Sequence, residues 1–292
     1  MNFLKYSKIY FVISALLIFS SIACLVVFKL NFGIEFTGGS LLEVEYLTDR
    51  PSNQEIQQTL TDLNLGNINV QPIGEKEVSL EMKSISEEIH QQILQKLGDV
   101  QENSFQSIGP TIGKELRGKT GTLVVISLLA MLFYIAFAFR KVQRPVSSWQ
   151  YGIASLLALF HDILIPLGVF AVLGKYYGVE ITIPVIAALL TVLGYSINNV
   201  VVVFDRIREN TFRRGSASFE ETVNNSLKQT LTRCVNTSFT TLLTLFAIFF
   251  FGGESLKYFT LALIIGVLAG LYSSLFLASP ILVWWLKIKH KG

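Results

Sequence analysis

The chain has 292 residues, of which 51% are hydrophobic and only 15% are charged. Soluble domains carry about 25% charged residues, so this composition favours a membrane protein. The net charge of +3 is too small to indicate a nucleic-acid partner. Cys24 and Cys234 both lie in apolar runs, which argues against a disulfide framework. The three histidines are far apart in sequence, so we predict no metal site and no cofactor.

Six apolar runs are long enough to cross a membrane, because a bilayer core needs about 20 apolar residues in helical form. They span residues 9–28, 121–139, 149–172, 181–204, 231–251 and 259–286. The first run is too long for the apolar part of a cleaved signal peptide, so we expect it to remain as a helix.

Lysines and arginines in short loops indicate which side of the membrane each loop occupies. They lie before the first run, between the second and third, between the fourth and fifth, and after the sixth: Lys5, Lys8, Arg140, Lys141, Arg144, Arg206, Arg208, Arg213, Arg214, Lys228, Lys287, Lys289 and Lys291. We therefore predict that both termini are cytoplasmic and that the long segment between the first two runs lies outside.

That long segment predicts a small folded domain over residues 31–118, preceded by a first helix within 1–30 and followed by the other helices in 119–292. Strand patterns occupy 41–47, 67–73, 78–83 and 102–109, and helical patterns occupy 52–63 and 84–98. The order is βαββαβ, which is the ferredoxin-like pattern of an α+β domain. The expected fold class is therefore a polytopic helical membrane protein with a ferredoxin-like external domain.

Capping signals mark the helices of this domain. Ser52 with Glu55, and Ser84 with Glu87, have the spacing of capping boxes. Gly98 is a helix stop, and a turn is expected at Gly74 between the middle strands. Among polar neighbours on the second helix, His90 is predicted to be an exposed surface residue.

Two adjacent amides, Asn198 and Asn199, interrupt the fourth apolar run. Amides inside membrane helices hydrogen-bond to other helices for about 0.6–2 kcal/mol each. An amide cannot titrate, so neither residue can carry a proton. The pair therefore predicts a polar inner face, as helix contact or cavity lining, with direct ion coordination as the alternative.

Arg233 belongs to a second polar face, which begins at Thr230. Ser218 and Glu221 have capping-box spacing, which places Arg233 about four turns inside its helix. Threonines follow at three- or four-residue steps on the same face: Thr237, Thr240, Thr241 and Thr244. Either this face lines a wet cavity or meets a polar partner, or Arg233 extends to the cytoplasmic headgroups.

Asp162 is the remaining acid inside an apolar run, beside His161 and four residues before Pro166. A structural hydrogen-bonded pair, a proton relay and an interfacial position are all compatible with it. In the last run, Gly266 and Gly270 have the spacing of close helix packing.

Six motifs occur in one order along the chain: NFGIEFTGGS (31–40), SIGPTIGKEL (107–116), FHD (160–162), GYSINN (194–199), VVVFDRIREN (201–210) and LTRCVNTSFTT (231–241). Gly33, Gly38 and Gly39 in the first motif allow tight turns where the chain leaves the membrane. Together the motifs resemble the SecF proteins of the SecD/SecF family, relatives of the resistance-nodulation-division transporters.

The resemblance implies a function and partners. It implies an auxiliary subunit of protein export in the bacterial inner membrane, which pairs with SecD and acts with the SecYEG channel on a translocating preprotein. It also implies use of the proton-motive force. An intramembrane enzyme is disfavoured on separate grounds, because no Ser/His or Cys/His pair occurs at a plausible spacing. The alternative is half of an exporter of lipids or small molecules in the same superfamily, which would also need its other half.

The resemblance also bears on single residues. The position of Asn199 is usually an aspartate in the family, and Arg233 matches an arginine linked to proton passage. Glu35 stands where aspartate is usual in the exit-loop motif. Because Asn199 cannot titrate, we expect the coupling acid to lie in the partner subunit opposite Arg233, with Asp162 as the alternative within this chain.

Overall fold

The structure is a computed structural model that describes residues 3–73, 75–140, 145–213 and 218–289. The predicted turn at Gly74, and the loop charges Lys141, Arg144, Arg214 and Lys291, lie outside the described residues. The chain divides into two compact units. The membrane unit comprises Met1–Leu30, Val124–Val179 and Pro184–Gly292, and the sheet unit comprises Asn31–Leu123 and Glu180–Ile183.

Long helices account for the membrane-spanning segments. In chain-order numbering they are α1 (Ser7–Phe28), α5 (Pro110–Ala138), α6 (Ser148–Tyr177), α7 (Ile183–Arg213), α8 (Phe219–Phe251), α9 (Glu254–Ser273) and α10 (Ser279–Lys289). A π-helical turn, Ser274–Ala278, joins α9 to α10. Over the described ranges, six spans are long and apolar enough to cross a membrane, the last running from Ser255 to Ile288. The predicted number of spans is confirmed.

Several helices extend well beyond their apolar runs. The helix α7 continues through the charged cluster to Arg213, and α8 starts at Phe219 because Ser218 caps it by accepting a hydrogen bond from the Glu221 amide at 3.2 Å. Asn210 of α7 donates to Ser226 of α8 at 2.8 Å, a buried contact in this polar extension. These helices are therefore longer than the apolar runs, and the Ser218 cap marks where α8 begins.

Small residues allow close helix packing in the membrane unit. A Cβ on Gly168 of α6 would lie 2.6 Å from the Ser21 Cβ of α1. A Cβ on Gly266 of α9 would overlap Val192 of α7, and one on Gly270 would lie 3.1 Å from the Cβ of Ser196. The prediction that the two glycines of the last run pack closely is confirmed.

The sheet unit has the predicted βαββαβ order. Its elements are the short helix α2 (Ile34–Thr37), then β1 (Gly39–Tyr46), α3 (Asn53–Leu60), β2 (Asn69–Pro72), β3 (Glu77–Met82), α4 (Glu87–Leu97) and β4 (Val100–Ile108). The strands pair in the order β2-β3-β1-β4, and each pair is antiparallel. Alternate residues of β1 and β3 are buried, so one face of the sheet packs on the helices.

One of the two capping boxes in this unit is confirmed and the other is wrong. Ser52 accepts from the Glu55 amide at 3.3 Å, while the Glu55 carboxylate accepts from the Ser52 amide at 2.8 Å. The helix α4 instead begins after Ser86, which makes no side-chain cap. Ser84 lies outside the helix, and its hydroxyl lies 3.3 Å from that of Ser107.

The prediction that His90 is exposed is also wrong. Its exposed fraction is 4%, and its ring stacks on Phe105 at a centroid distance of 3.8 Å. The two ring nitrogens lie 3.2 Å from Glu87 Oε1 and 3.3 Å from Glu102 Oε2. His90 is three residues before buried Ile93, so the helical period turns both toward the sheet.

Candidate functional site

Asp162 lies at the centre of a buried polar cluster in the membrane unit. Its side chain is fully buried, and its Oδ2 accepts hydrogen bonds from Ser196 of α7 and, at 2.7 Å, from Ser273 of α9. Its Oδ1 lies 2.9 Å from Nδ1 of His161. We call these four residues the Asp162 network. Three helices thus supply partners to one carboxyl group, as a buried polar group requires.

Two irregularities of the backbone lie beside this network. Pro166 has no amide hydrogen, so the carbonyl of Asp162 loses the donor that an unbroken helix would provide. Ser273 directly precedes the π-helical turn Ser274–Ala278. Turns of this kind inside α-helices are frequent at functional sites. The chain therefore departs from regular helix on both α6 and α9 next to the same carboxyl group.

His161 is bound on one side and open on the other. With Nδ1 protonated, it donates to Asp162, and its ring stacks on Tyr272 at a centroid distance of 5.8 Å. The Tyr272 hydroxyl in turn donates to the backbone carbonyl of Tyr10 at 2.9 Å. Within the described part of the chain, Nε2 of His161 is buried and has no hydrogen-bond partner. This nitrogen therefore has hydrogen-bonding capacity that the described residues do not use.

The two adjacent asparagines have different environments. Asn199 has an exposed fraction of 2% and lies one turn after Ser196, on the same buried face of α7. Its Nδ2 has no hydrogen-bond partner among the described residues. Asn198 is exposed. The predicted polar inner face therefore includes Asn199 but not Asn198, because neighbouring helical positions point about 100° apart.

Most of the predicted polar residues of α8 form an exposed face, but Thr230 is buried and Thr241 is half-buried. We call Arg233, Thr237, Thr240 and Thr244 the α8 polar face, and all four are exposed. The hydroxyls of Thr240 and Thr244 donate to carbonyls four residues earlier, at 3.1 and 3.3 Å, so the helix satisfies them. No carboxylate among the described residues makes an ion pair with Arg233. The structure therefore does not bring Arg233 into the Asp162 network.

The exit-loop motif is a tightly packed turn in the sheet unit. Gly38 has a positive φ of 76°, and a Cβ there would lie 2.7 Å from Cα of Pro110. A Cβ on Gly39 would lie 2.7 Å from the carbonyl oxygen of Met82. A Cβ on Gly33 would lie 2.5 Å from Oε2 of Glu35. Gly38 and Gly39 are therefore required for close backbone approach, whereas Gly33 leaves room for a carboxylate oxygen.

Sequence reasoning missed the two serines that complete the network. Ser196 lies inside the GYSINN motif, three residues before Asn199. Residues at this spacing share one side of a helix, so the sequence could have predicted that Ser196 joins the polar face. Ser273 had no comparable signal, because its contact with Asp162 joins residues 111 positions apart.

The membrane helices, the ferredoxin-like sheet unit and the buried ionisable network define a polytopic helical membrane protein. Its sequence matches the family model "Protein export membrane protein SecD/SecF, C-terminal" over residues 89–288, and the "SecD/SecF GG Motif" over residues 25–46.

Relatives match over nearly the whole chain. The chain is 39% identical to the protein translocase subunit SecF of Thermobaculum terrenum, over 97% of this chain and 93% of the relative. It is 35% identical to SecF of Anaerolinea thermophila, over 98% of this chain and 94% of the relative. The chain therefore belongs to the SecD/SecF family of protein-export membrane proteins.

A solved structure agrees with the sequence relatives. The crystal structure of SecDF from Thermus thermophilus, described as a translocon-associated membrane protein, superposes with a TM-score of 0.86 at 32% identity. The match covers 98% of this chain but only 38% of the SecDF chain. This chain thus spans about two fifths of the length of that protein.

Proposed function

We propose that this chain is an auxiliary subunit of the Sec protein translocase, which pairs with SecD and assists preprotein export at the SecYEG channel. Relatives named as SecF match almost the full chain, and the chain is similar to less than half of the longer SecDF protein. A transport protein built as one half of a pair needs the other half to complete its central pathway. Its role is in transport and not in catalysis.

The single observation that supports the coupling mechanism is the exposure of the Arg233 side chain. A guanidinium on a membrane helix is unfavourable against lipid, and residues of this kind usually face a polar partner or a water-filled cavity. Arg233 is exposed in this chain, and the threonines of the α8 polar face extend along the same side. The α8 polar face is therefore the surface that meets SecD.

Arg233 stabilises an acid in the partner subunit and does not itself carry protons. Arginine stays protonated in proteins, so it cannot bind and release a proton during each cycle. A positive charge nearby lowers the pKa of a carboxyl group by about 1–3 units, which favours proton release. Asn199 is a neutral wall of this pathway, and the proton-motive force drives the cycle. Asp162 is the alternative acid, within this chain.

Cross-linking tests the proposed pairing. In a Cys24→Ser variant, cysteine replaces Thr237 on the α8 polar face, and a matched variant carries cysteine at Phe239, which is exposed on another side of α8. A short thiol-reactive photo-cross-linker is then applied to membranes that contain SecD. We expect Thr237→Cys to form a SecD adduct and Phe239→Cys to form little. Equal adducts at both positions, or none with SecD, would contradict the pairing.

The proposed topology places both termini in the cytoplasm of a bacterial cell and residues 31–118 on the outer side of the inner membrane. The support is the concentration of Lys and Arg in the loops on one side. A cysteine introduced at Ser104 of β4 tests it. We expect an impermeant thiol reagent added outside the cytoplasmic membrane to label it, and labelling only from the cytoplasmic side would overturn the topology.

A further inference from the structure

Three carboxyl groups of the sheet unit converge beside the exit-loop motif. They belong to Glu35 of α2, Glu81 of β3 and Glu180, which lies in the segment just before α7. Oε2 of Glu35 and Oε2 of Glu180 lie 2.5 Å and 3.1 Å from the position that a Cβ on Gly33 would occupy. Glu180 is hydrogen-bonded to Glu81. The absence of a side chain on Gly33 therefore leaves room for carboxyl groups.

The hydrogen bond between Glu180 and Glu81 requires a proton. An ionised carboxylate only accepts hydrogen bonds, so two carboxyl groups can pair directly only when one of them is protonated. Burial, the hydrogen bond to Glu81 and the negative charges of Glu81 and Glu35 together raise the pKa of Glu180 to about 9, and burial is the largest of these causes. At neutral pH the pair therefore holds one proton.

The charges that act on Glu180 are those of Glu81 and Glu35, and both are negative. The neighbouring polar group on β2 is the neutral amide of Asn69, which donates to Glu81 at 3.4 Å. Loss of the shared proton would therefore leave two carboxylates in contact, with a third beside them. Like charges at this separation repel strongly because the site is partly shielded from water.

The segment that carries Glu180 is also joined to the exit loop through the backbone. The Ile181 amide donates to the Asn31 carbonyl at 2.7 Å, and the Gly33 amide donates to the Ile181 carbonyl at 3.1 Å. These two bonds form an isolated bridge and not a full strand pair. The side-chain contact between Glu180 and Glu81 adds a second attachment, to the sheet itself.

We propose that the proton shared by Glu180 and Glu81 is a pH-sensitive latch, which holds residues 180–183 on β3 and releases them when it is lost. The residues of the latch all lie in the sheet unit of this chain, and only the side of the membrane on which it acts rests on the proposed function. It acts directly on the connection between α6 and α7. On the proposed topology, it senses the proton concentration outside the membrane, the side that the proton-motive force makes acidic.

The direction of the pH effect follows from the two pKa values. When the latch is closed, the pKa of Glu180 is about 9, and when it is open, the pKa returns toward its ordinary value of 4.5. Between these values the closed state binds one more proton than the open state. The latch therefore weakens as pH rises through this window, by up to about tenfold in its equilibrium constant per pH unit. Above about pH 9 the pH dependence ends.

Hydrogen exchange on the full chain in lipid nanodiscs tests the latch. The measured quantity is the protection of the Ile181 amide between about pH 6 and pH 8, corrected for the pH dependence of intrinsic exchange. In the wild type, we expect protection to fall with pH, by up to about tenfold per unit. The Val78 amide in the centre of the sheet reports global unfolding, and its protection should show no such slope.

Three variants separate the latch from other causes. Glu180→Gln keeps a donor for Glu81 without a titrating group, so the slope at Ile181 should disappear. Glu81→Gln removes the main partner and should reduce the slope. Glu88→Gln changes an exposed acid of α4 and should leave the wild-type slope intact. A wild type without a slope at Ile181, or a Glu180→Gln variant with an unchanged slope, would overturn the proposal.

Discussion

The Asp162 network and the α8 polar face both place polar side chains in the membrane unit, but only the first is completed by the chain itself. Asp162 is fully buried and receives donors from three helices. Arg233 is exposed, and no described carboxylate pairs with it. The first region therefore contributes to the stability of this chain, whereas we propose that a group of the partner subunit completes the second. Substitutions should therefore separate the two regions by what they damage.

We expect the greatest loss of export when Arg233 of the α8 polar face is replaced. Arg233→Ala should reduce preprotein export by the SecD complex more than tenfold, because the partner acid loses its counter-charge. The melting temperature of the isolated chain should be unchanged, since Arg233 makes no ion pair with the described residues. Arg233→Lys is the matched control and should retain part of the activity. Unimpaired export by Arg233→Ala would refute the assigned role.

The next largest effect is expected on the stability of the chain when the Asp162 network is altered. Asp162→Asn should destabilise the isolated chain by about 1–3 kcal/mol, because the amide nitrogen cannot accept the bonds that the carboxylate accepts. Tryptophan fluorescence during thermal unfolding measures this, with exposed Asp205→Asn as the control. If Asp162→Asn is stable and assembles with SecD but abolishes export, the coupling acid lies in this chain, and its assignment to the partner is wrong.

A smaller change tests how closely the network is packed. Gly270→Ala places a Cβ 3.1 Å from the Cβ of Ser196, which donates to Asp162. We expect a loss of about 1 kcal/mol, because overpacking forces small shifts between α7 and α9. Gly194→Ala is the control, since a Cβ there meets nothing within 4 Å. Equal stability of the two variants would show that the network tolerates displacement.

The smallest effect is expected at Asn199, on the buried face of α7 one turn after Ser196. Asn199→Ala should cost no more than about 0.6 kcal/mol, because its Nδ2 has no partner among the described residues. Export should fall less than in Arg233→Ala, since only a neutral wall is altered. The same two assays, run in parallel, measure both quantities. A loss of export as large as that of Arg233→Ala would mean that Asn199 contacts the transported ion directly.

Much of the fold followed from local patterns. The sequence correctly predicted the six spans, the βαββαβ order and the caps at Ser52 and Ser218. Each of these features depends on residues that are close in sequence. The predicted cap at Ser84 is wrong, although Ser84 and Glu87 have the spacing of a capping box. Its hydroxyl is engaged by Ser107, a contact between distant residues that no local pattern contains.

The candidate site was only partly predictable for the same reason. Asp162, Asn199 and Arg233 stood out because polar residues are rare in apolar runs. Their partners did not, since serines are common in membrane helices and carry no charge. His90 was misjudged because its polar neighbours in sequence are not its neighbours in space, where it stacks on Phe105 of β4.

The membrane class, the number of spans and the order of the sheet unit could be predicted from the amino-acid sequence alone. These properties depend on composition and on helical or strand period, which short stretches of chain contain in full. Helix packing, in contrast, buries Asn199 but not Asn198, and it encloses Asp162 while Arg233 stays exposed. Those outcomes depend on which helix faces which, and that is set by packing between residues far apart in the chain, such as Ser273 and Asp162.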